Sequence, residues 1–302
     1  MRRWLTVLLV GLMVAALAPT ALATGHEGGT YLALGDSVAA GTQQPAPFTD
    51  NGYTDNLFKY LDDAYGFDTF VNLACPGDDT VEMISGIGSL CYGPNAAFPP
   101  GGSSQLDAAV DYLTSNPGEV ELITIAIGAN DILACDPTDP PEVLNACLAS
   151  QLGQFGANLP VIVGTLQAFA PGVPIVAMNY YNPNLAFWLT GAAGQALATQ
   201  SLGLTTVFNG TLEAVYRAFG VPVVDIATTF KTFKTNGGDP PQNVRAVCLW
   251  TLMCEKSGKQ YVLSDYNPTA PGPQTDIHPS NKGYKKIAGA HADLIDGYGL
   301  LG

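Results

Sequence analysis

The sequence predicts an α/β fold in which helices cover both faces of a doubly wound parallel sheet of five strands. Two observations support this prediction. Short apolar runs that end abruptly at Gly, Asn or Asp alternate with longer segments of helical apolar spacing, as in repeated strand–helix–strand units. One run, from Val120 to Ile127, is apolar on both faces, as a central parallel strand requires.

The five short apolar runs are the predicted strands. The first run stops at Gly35, and the last contains Pro222, which favours an edge position because proline cannot donate a hydrogen bond to a neighbouring strand. Sheets of this kind bind ligands beyond the carboxyl ends of their strands, so the residues after each run are the first candidates for a site. The runs are residues 31–34, 70–74, 120–127, 173–178 and 221–225.

Helical spacing of apolar residues fills most of the chain between these runs. Pro160 lies inside one such segment and is expected to kink it or split it in two. Residues 227–273 show no periodicity and are predicted to be irregular. The predicted helices are residues 53–65, 106–113, 142–170 and 191–219, and a final helix that begins after the N-cap Ser280.

The first 23 residues have the features of a secretory signal peptide. Arg2 and Arg3 supply the positive start, residues 5–17 the apolar stretch, and small residues up to Ala23 the cleavage site. The apolar stretch is shorter than the roughly 18 residues of a membrane span, which favours cleavage over a retained anchor. We expect a secreted mature chain, residues 24–302, that forms a single domain because no linker or repeat divides it.

The charge balance is strongly acidic, since 26 Asp and Glu residues against 12 Lys and Arg residues give a net charge of −14. Such a surface repels phosphate backbones and anionic membrane faces, which argues against nucleic-acid binding and against stable anchoring to a membrane. Only 13% of the residues are charged, which disfavours extended disorder. We expect a compact, monomeric protein.

All six cysteines lie in the expected mature chain. An even number of cysteines in an exported protein favours disulfides, although six cysteines permit many connectivities. A zinc site is the alternative, but no Cys-x-x-Cys pair is present and histidines are few, so we expect no metal. The close spacing of successive cysteines favours the pairs Cys75–Cys91, Cys135–Cys147 and Cys248–Cys254.

Polar residues and glycines follow the predicted strands at the edge where their carboxyl ends meet. Ser37 comes after the first strand, Gly77 after the second and Asn130 after the third, and His278 precedes the final helix. Because the predicted strands are parallel, we expect these residues to face one crevice.

A serine hydroxyl in such a crevice can act as a nucleophile if a base takes its proton. Ser37 is the candidate nucleophile, and the three histidines of the chain leave one candidate base. His26 belongs to the N-terminal tail, and His291 lies inside the final helix, where packing is its expected role. His278, on a loop beside a proline, is therefore the candidate base.

Acyl transfer also needs hydrogen-bond donors that hold the developing oxyanion. The candidate donors are the backbone N–H groups of Ser37 and Gly77 and the side-chain amide of Asn130. Glycine suits this task because it permits a close backbone approach that a side chain would obstruct.

Together these residues resemble the sequence blocks of the SGNH, or GDSL, hydrolase family of esterases and lipases. Residues 35–37 resemble its nucleophile block, residues 72–80 its second block, residues 128–131 its third and residues 276–279 its last. The resemblance spans nearly the whole mature chain, in the family's order. It implies a flavodoxin-like three-layer α/β/α sandwich, ester hydrolysis without a metal or organic cofactor, and the four roles given above. The short-range cysteine pairs resemble those of the secreted actinobacterial branch.

One position departs from the family's pattern. The family usually places an Asp three residues before the His, where this chain has Thr275, whereas Asp276 lies only two residues before His278. A shift of one residue changes where a side chain points. Three partners for the imidazole therefore remain open: the carboxylate of Asp276, which we favour, a backbone carbonyl, and Asp225 at a strand end.

The predicted function is that of a secreted serine ester hydrolase, an esterase or lipase, that forms an acyl-enzyme on Ser37. Leu185, Phe187 and Trp188 follow the fourth strand as an apolar patch and are candidates for the acyl pocket, although packing between helices is an alternative role. A lining of this kind predicts medium or long acyl chains. A carbohydrate O-deacetylase, a lysophospholipase-type enzyme and a secreted binding module without turnover are the alternative functions.

Overall fold

A parallel sheet of five strands forms the centre of the computed structural model, which describes residues 28–136, 139–264 and 275–302. The expected signal peptide and His26 lie outside these residues. The strand order is β2-β1-β3-β4-β5, which confirms the predicted α/β class and five-stranded parallel sheet. The strands are β1 (Gly29–Gly35), β2 (Phe67–Asn72), β3 (Val120–Ala126), β4 (Ile175–Met178) and β5 (Val223–Val224).

The position of β1 decides where a crevice forms. Leu32 of β1 pairs with Val71 of β2 on one side and with Ile123 of β3 on the other, and every residue of β1 is buried. The chain therefore adds β2 on one side of β1 and β3 on the other. In doubly wound sheets, such a reversal of strand order opens the ligand crevice at the carboxyl ends.

Helices cover both faces of the sheet, so the predicted three-layer arrangement is confirmed. On one face α2 packs against α10, and on the other α6 packs against α4 and α7. Among the described residues, no helix combines the length and apolarity of a membrane span. The helices are α1 (Ser37–Ala40), α2 (Tyr53–Tyr65), α3 (Thr80–Ser85), α4 (Gln105–Ser115), α5 (Ala129–Leu133), α6 (Pro141–Phe169), α7 (Ala192–Ala218), α8 (Ile226–Thr229), α9 (Gln242–Trp250), α10 (Asn281–Tyr298) and a 3-10 helix, Pro183–Thr190.

Helix α6 continues through Pro160, so the helix is not split there. A proline in a helix interior costs about 3 kcal/mol. The neighbouring residues Phe155, Leu159 and Ile162 are fully buried in the core. Burial of each such side chain contributes about 1.5–3 kcal/mol, so tertiary packing outweighs the local cost of the proline.

The described part of the segment predicted to be irregular, residues 227–264, is more regular than predicted, and residues 265–273 lie outside the described residues. The described part contains α9 and an antiparallel hairpin of β6 (Cys254–Ser257) and β7 (Gln260–Leu263). The hairpin strands are mostly exposed, so their sequences lack the alternation that marks a half-buried strand. The sequence feature that could have indicated the hairpin is Gly258, which has a φ of 64° in the turn between the two strands.

Three disulfides connect the six cysteines in the sequential pairing that their spacing favours. The first holds the loop of residues 86–102 beside the end of β2, and the third closes a small loop at the end of α9. The pairs are Cys75–Cys91, Cys135–Cys147 and Cys248–Cys254.

Candidate active site

Ser37 is the first residue of α1, at the point where the chain leaves β1. The exit requires Gly35, which has a φ of 140° and packs so closely against Ala126 of β3 that a Cβ atom would collide with the Ala126 carbonyl. The Gln105 side chain accepts a hydrogen bond from Gly35 N at 2.7 Å and donates one to Gly35 O at 3.0 Å. The backbone of Ala126 and the side chain of Gln105 therefore hold Gly35 in place, which fixes where the chain enters α1 at Ser37.

Asp36, directly before Ser37, is completely buried. Its carboxylate caps α1 by accepting a hydrogen bond from Val38 N at 2.9 Å, and it accepts another from the Tyr180 hydroxyl at 2.7 Å. Burial outweighs these hydrogen bonds and raises the pKa of Asp36 to about 6. The pair ties the start of α1 to the segment after β4. Tyr180 lies just after the fourth predicted strand, where a site was expected, but its contact with Asp36 could not be read from the sequence.

Gly77 and Asn130 lie on neighbouring segments beyond β2 and β3. Gly77 is exposed and has a φ of 93°, a conformation that favours glycine. The Asn130 side-chain nitrogen donates a hydrogen bond to the backbone oxygen of Asp78, the residue after Gly77, at 2.9 Å. An amide nitrogen carries two hydrogens, so this bond engages only one of them. The structure thus places Asn130 beside the segment that carries Gly77, so two of the three candidate oxyanion donors lie on neighbouring segments.

Two further buried carboxyls support this side. Asp131 accepts hydrogen bonds from the Thr80 hydroxyl at 2.6 Å and from Thr80 N at 3.0 Å, and Asp78 accepts one from Gln105 Nε2 at 3.0 Å. Burial raises the pKa of Asp78 to about 7 and that of Asp131 to about 6. Their partners are neutral, and no group of three or more His, Cys, Asp or Glu side chains is arranged for a metal in the described ranges.

Asp276 reaches His278 despite the shortened spacing. One carboxylate oxygen lies 2.6 Å from His278 Nδ1 and also accepts a hydrogen bond from His278 N at 3.0 Å, while the other accepts one from Gln44 N at 2.9 Å. Partial burial raises the pKa of Asp276, but the hydrogen bonds and charge of His278 outweigh that effect and hold the pKa below its usual value. The tight turn between the two residues bends the carboxylate back to the ring.

The two other candidate partners of the imidazole are placed differently. Asp225 caps α8 by accepting a hydrogen bond from Thr228 N at 2.9 Å, and it accepts another from Asn179 Nδ2 at 3.0 Å. The contact to His278 Nδ1 is made by the side chain of Asp276.

Backbone hydrogen bonds hold the loop that carries His278. The His278 oxygen accepts a hydrogen bond from Leu252 N at 2.9 Å, and the Trp250 oxygen accepts one from Ser280 N at 2.9 Å. The Tyr181 hydroxyl donates to the Ile277 oxygen at 2.7 Å. Because Trp250 and Leu252 lie in the loop closed by the third disulfide, that disulfide supports the position of His278.

Ser37, Asn130 and His278 line one cleft of about 90 Å³. The remaining walls are largely apolar and come from α5, α7 and the segment after β4. The apolar side chains that line the cleft include Ile132, Leu133, Pro183, Leu204 and Phe208 on these elements and Ile277 on the loop of His278.

The apolar patch predicted as the acyl pocket is not part of this cleft, which corrects that prediction. Leu185 is buried in the core, and Phe187 and Trp188 pack against the core while the Trp188 indole donates to Asp239 at 3.0 Å. The 3-10 helix turns their side chains away from the cleft. The apolar wall of the cleft comes instead from Leu204 and Phe208 of α7. Their helical spacing was the sequence feature that could have indicated this wall.

His291 is buried inside α10, in the packing role expected for it. Its Nδ1 lies 2.9 Å from the Ile287 oxygen, and its ring stacks on Tyr53 with centroids 4.7 Å apart. Burial lowers the pKa of His291 to about 4, so the ring is neutral in the folded protein at neutral pH.

Comparison of the sequence with models of known protein families identifies the family of this chain. The model of the GDSL-like lipase/acylhydrolase family matches residues 33–286, which include Ser37, Gly77, Asn130 and His278. The chain belongs to this family. In this GDSL-family chain, the acidic residue that contacts the histidine lies two positions before it rather than three. A search of curated proteins by sequence found no match.

Several solved structures share the fold of this chain. An extracellular lipase from Streptomyces rimosus is 17% identical, with a TM-score of 0.52, over 87% of this chain and 99% of that one. Phospholipase A1 from Streptomyces albidoflavus is 15% identical, with a TM-score of 0.53, over 88% of this chain and 99% of that one. A variant of a Geobacillus acetyl-xylooligosaccharide esterase is 15% identical, with a TM-score of 0.50, over 89% and 95% of the two chains.

Proposed function

We propose that this protein is a serine carboxylic-ester hydrolase that acts through an acyl-enzyme on Ser37. The observation that carries the proposal is the convergence of Ser37, Asn130 and a His278–Asp276 pair on one cleft with apolar walls. A hydroxyl, an imidazole held by a carboxylate, and amide donors are the groups that acyl transfer requires.

The acylation step begins at the Ser37 hydroxyl. His278 Nε2 takes its proton while Ser37 Oγ attacks the ester carbonyl. The oxyanion accepts hydrogen bonds from Ser37 N, Gly77 N and the second hydrogen of the Asn130 amide. Ser37 N suits this role because the first backbone N–H groups of a helix have no intrahelical acceptor. The protonated His278 then gives its proton to the departing alcohol.

Asp276 is the positioning residue of this step. Because it accepts the hydrogen on Nδ1, it keeps Nε2 free to take the Ser37 proton, and its charge stabilises the imidazolium that forms. In deacylation, His278 takes a proton from water, which attacks the acyl-enzyme, and returns that proton to Ser37 Oγ as the acid leaves.

The cleft favours an acyl group over a polar substituent, because its side-chain lining is mainly apolar. An apolar cavity of about 150 Å³ holds a benzene ring. The cleft of about 90 Å³ beside Ser37 therefore suits the first few carbons of an acyl chain, and a longer chain extends over the half-exposed Leu133. A carbohydrate O-deacetylase is the second candidate, since the enclosed volume also admits an acetyl group.

The Ser37→Ala variant tests the assignment. We expect kcat on a nitrophenyl ester to fall by a factor on the order of 10⁶, because no other hydroxyl replaces the nucleophile. A fluorophosphonate that labels serine nucleophiles should mark the unmodified protein at Ser37 and leave the variant unlabelled. Ser103→Ala, an exposed serine on a loop, is the matched control and should keep full activity. Full hydrolysis by Ser37→Ala would refute the proposal.

A series of nitrophenyl esters of increasing acyl length separates the two substrate classes. A lipase-like enzyme is expected to hydrolyse butyrate and longer esters with higher kcat/KM than acetate, because each buried methylene adds about 0.8 kcal/mol of binding. Activity confined to acetate would support the deacetylase instead.

We also propose that the enzyme is secreted and acts as a monomer without a metal or organic cofactor. The signal-like first 23 residues and three disulfides support secretion, because disulfides persist in oxidising compartments. N-terminal sequencing of the exported protein should give Thr24 as the first residue, and an intact Met1 would contradict this.

A further inference from the structure

Gln105, the first residue of α4, is completely buried and does not line the cleft. Burying an amide is unfavourable unless its polar atoms are hydrogen-bonded. Gln105 Oε1 accepts a hydrogen bond from Gly35 N at 2.7 Å, and Nε2 donates to Gly35 O and to Asp78 Oδ2, each at 3.0 Å. Both hydrogens of the amide are therefore in use. We call these three hydrogen bonds the amide bridge.

The amide bridge lies where β1 and β2 stop pairing. Asn72, the last residue of β2, pairs with Ala33, so Gly35 lies beyond the paired part of β1 on that side. From there, one segment continues to Ser37 and the other to Gly77. The bridge joins these two segments, because its partners are the residue two positions before the serine and the residue directly after the glycine.

Asp78 connects the bridge to the candidate oxyanion donors. It directly follows Gly77, and its backbone oxygen accepts the hydrogen bond from the Asn130 amide at 2.9 Å. Because Asp78 is completely buried, its carboxyl cannot turn to water in place of Gln105. Loss of the bridge therefore displaces the backbone that carries Gly77 N and holds Asn130. Displacements of about 1 Å at a catalytic group can cost about 10²-fold in rate.

The bridge requires an amide rather than only a side chain of this shape. Gly35 N can only donate, so the side-chain atom that faces it must be an acceptor. The Asp78 carboxylate can only accept, so the atom that faces it must carry a hydrogen. A glutamate has the same shape, but its carboxylate has no hydrogen to donate and would lie beside a second buried negative charge.

We propose that Gln105 is a positioning residue of the hydrolysis, whose amide bridge sets the distance from the Ser37 nucleophile to the oxyanion donors Gly77 N and Asn130. The proposal deepens the ester-hydrolase function and rests on it. Gln105 itself touches no substrate, because it lies outside the cleft. Breaking the bridge should lower kcat and leave KM nearly unchanged, since the oxyanion forms only as the reaction proceeds.

Gln105→Glu tests the bridge with almost no change of shape. The carboxylate still accepts from Gly35 N but cannot donate to Asp78, and the two carboxylates repel each other. We expect kcat on a nitrophenyl ester to fall about 10²-fold, as on loss of one oxyanion donor. Gln167→Glu is the matched control, because Gln167 is exposed on α6 and donates only to the Phe219 oxygen, at 2.8 Å. The control should match the unmodified protein.

Asp78→Asn added to Gln105→Glu exchanges the donor and the acceptor of the bridge. The introduced amide can donate to the introduced carboxylate, which still accepts from Gly35 N. Gly35 O keeps a second donor, because Cys75 N lies 3.0 Å from it. The net charge equals that of the unmodified protein. We expect kcat to recover about tenfold relative to Gln105→Glu, a gain that a purely local packing defect at position 105 would not show.

Thermal unfolding of each variant separates positioning from loss of the fold. Kinetics are measured well below the Tm of every variant. A folded Gln105→Glu protein with full kcat, or with a loss in KM alone, would overturn the proposal. If Gln105→Glu does not fold, the double variant decides. A folded double variant with kcat close to that of the unmodified protein supports the bridge, and an unfolded or inactive double variant overturns it.

The same assay distinguishes failure of the bridge from failure of the proposed function. If the unmodified protein and Gln167→Glu hydrolyse the ester while Gln105→Glu keeps full kcat, the ester-hydrolase function stands and only the bridge fails. If the unmodified protein hydrolyses no ester, the proposed function fails, and the positioning role of Gln105 fails with it.

Discussion

The two sides of the cleft hold their carboxyl groups in opposite ways. On the base side, Asp276 receives hydrogen bonds from backbone N–H groups and from the His278 ring, and its pKa is lowered. On the oxyanion side, Asp78 and Asp131 are buried with neutral partners, and burial raises their pKa values to about 7 and about 6. The difference separates Asp276, whose charged form is favoured by its contacts with His278 and which the proposed mechanism needs in that form, from carboxyls that hydrogen-bond neutral groups of the fold.

The largest effect is expected on the base side. His278→Ala removes the proposed general base and should lower kcat by a factor on the order of 10⁶, as Ser37→Ala does. The two substitutions remove the same step, so the double variant should be no slower than either single variant. Steady-state kinetics on one nitrophenyl ester measures all three, and additive losses would break the assignment of a shared step.

Asp276→Asn is expected to rank next. The amide cannot accept the Nδ1 hydrogen in the same way and carries no charge, so kcat should fall by about 10⁴. Asp225→Asn is the matched control, because Asp225 caps α8 and should be neutral for kcat. A loss of less than tenfold in Asp276→Asn would show that the imidazole is positioned without the carboxylate, as in a Ser-His dyad.

A smaller loss is expected on the oxyanion side. Asn130→Ala should lower kcat by roughly 10²–10³ with little change in KM, since the amide bonds the charge that develops in the transition state. The substitution also removes the hydrogen bond to the Asp78 oxygen, so thermal unfolding should be measured in parallel. A rise in KM with an unchanged kcat would indicate that Asn130 binds the substrate in its ground state instead.

The smallest effect concerns stability and pH. A carboxyl whose pKa is higher in the folded protein binds more protons when folded, so the free energy of unfolding decreases as pH rises from 3.8 through about 7 for Asp78. Asp78→Asn should therefore flatten the pH dependence of the free energy of unfolding between about pH 5 and pH 7, by at most about 1.4 kcal/mol per pH unit, which thermal unfolding detects as a shallower slope of Tm against pH.

Asp276→Asn provides the contrasting control for that measurement. The pKa of Asp276 is lowered by folding, so its contribution to stability is present above 3.8 and is lost only as pH falls through the lower folded value. This substitution should leave the contribution of this carboxyl to the slope of Tm between about pH 5 and pH 7 unchanged. Equal flattening in both variants would contradict the contrast between the two sides.

The predictable part of the molecule was the part that local patterns determine. Residues 53–65 form α2 as the apolar spacing predicts, and Ser37 and Asn130 face one cleft because parallel strands end at one edge. The parallel sheet alone brings these two residues together, because they directly follow neighbouring strands.

Features that depend on long-range packing could not be predicted in this way. Asp36 meets Tyr180, and Leu204 and Phe208 reach the cleft from α7, only once β4 and the helices are placed. The apolar residues from Leu185 to Trp188 were candidates for the acyl pocket because they are apolar. Apolar character alone does not tell which face a 3-10 helix buries. The contact of Asp276 with the ring depends on a turn whose dihedral angles the sequence pattern does not specify.

The order of the cleft residues along the chain has a consequence for biosynthesis. Ser37, Gly77 and Asn130 come from the first half of the chain, whereas His278 comes just before the last helix and is held by the loop that ends in Cys254. A nascent chain thus holds the serine long before it holds the base. Under the proposed mechanism, hydrolysis requires His278, so it cannot begin before the last part of the chain is synthesised.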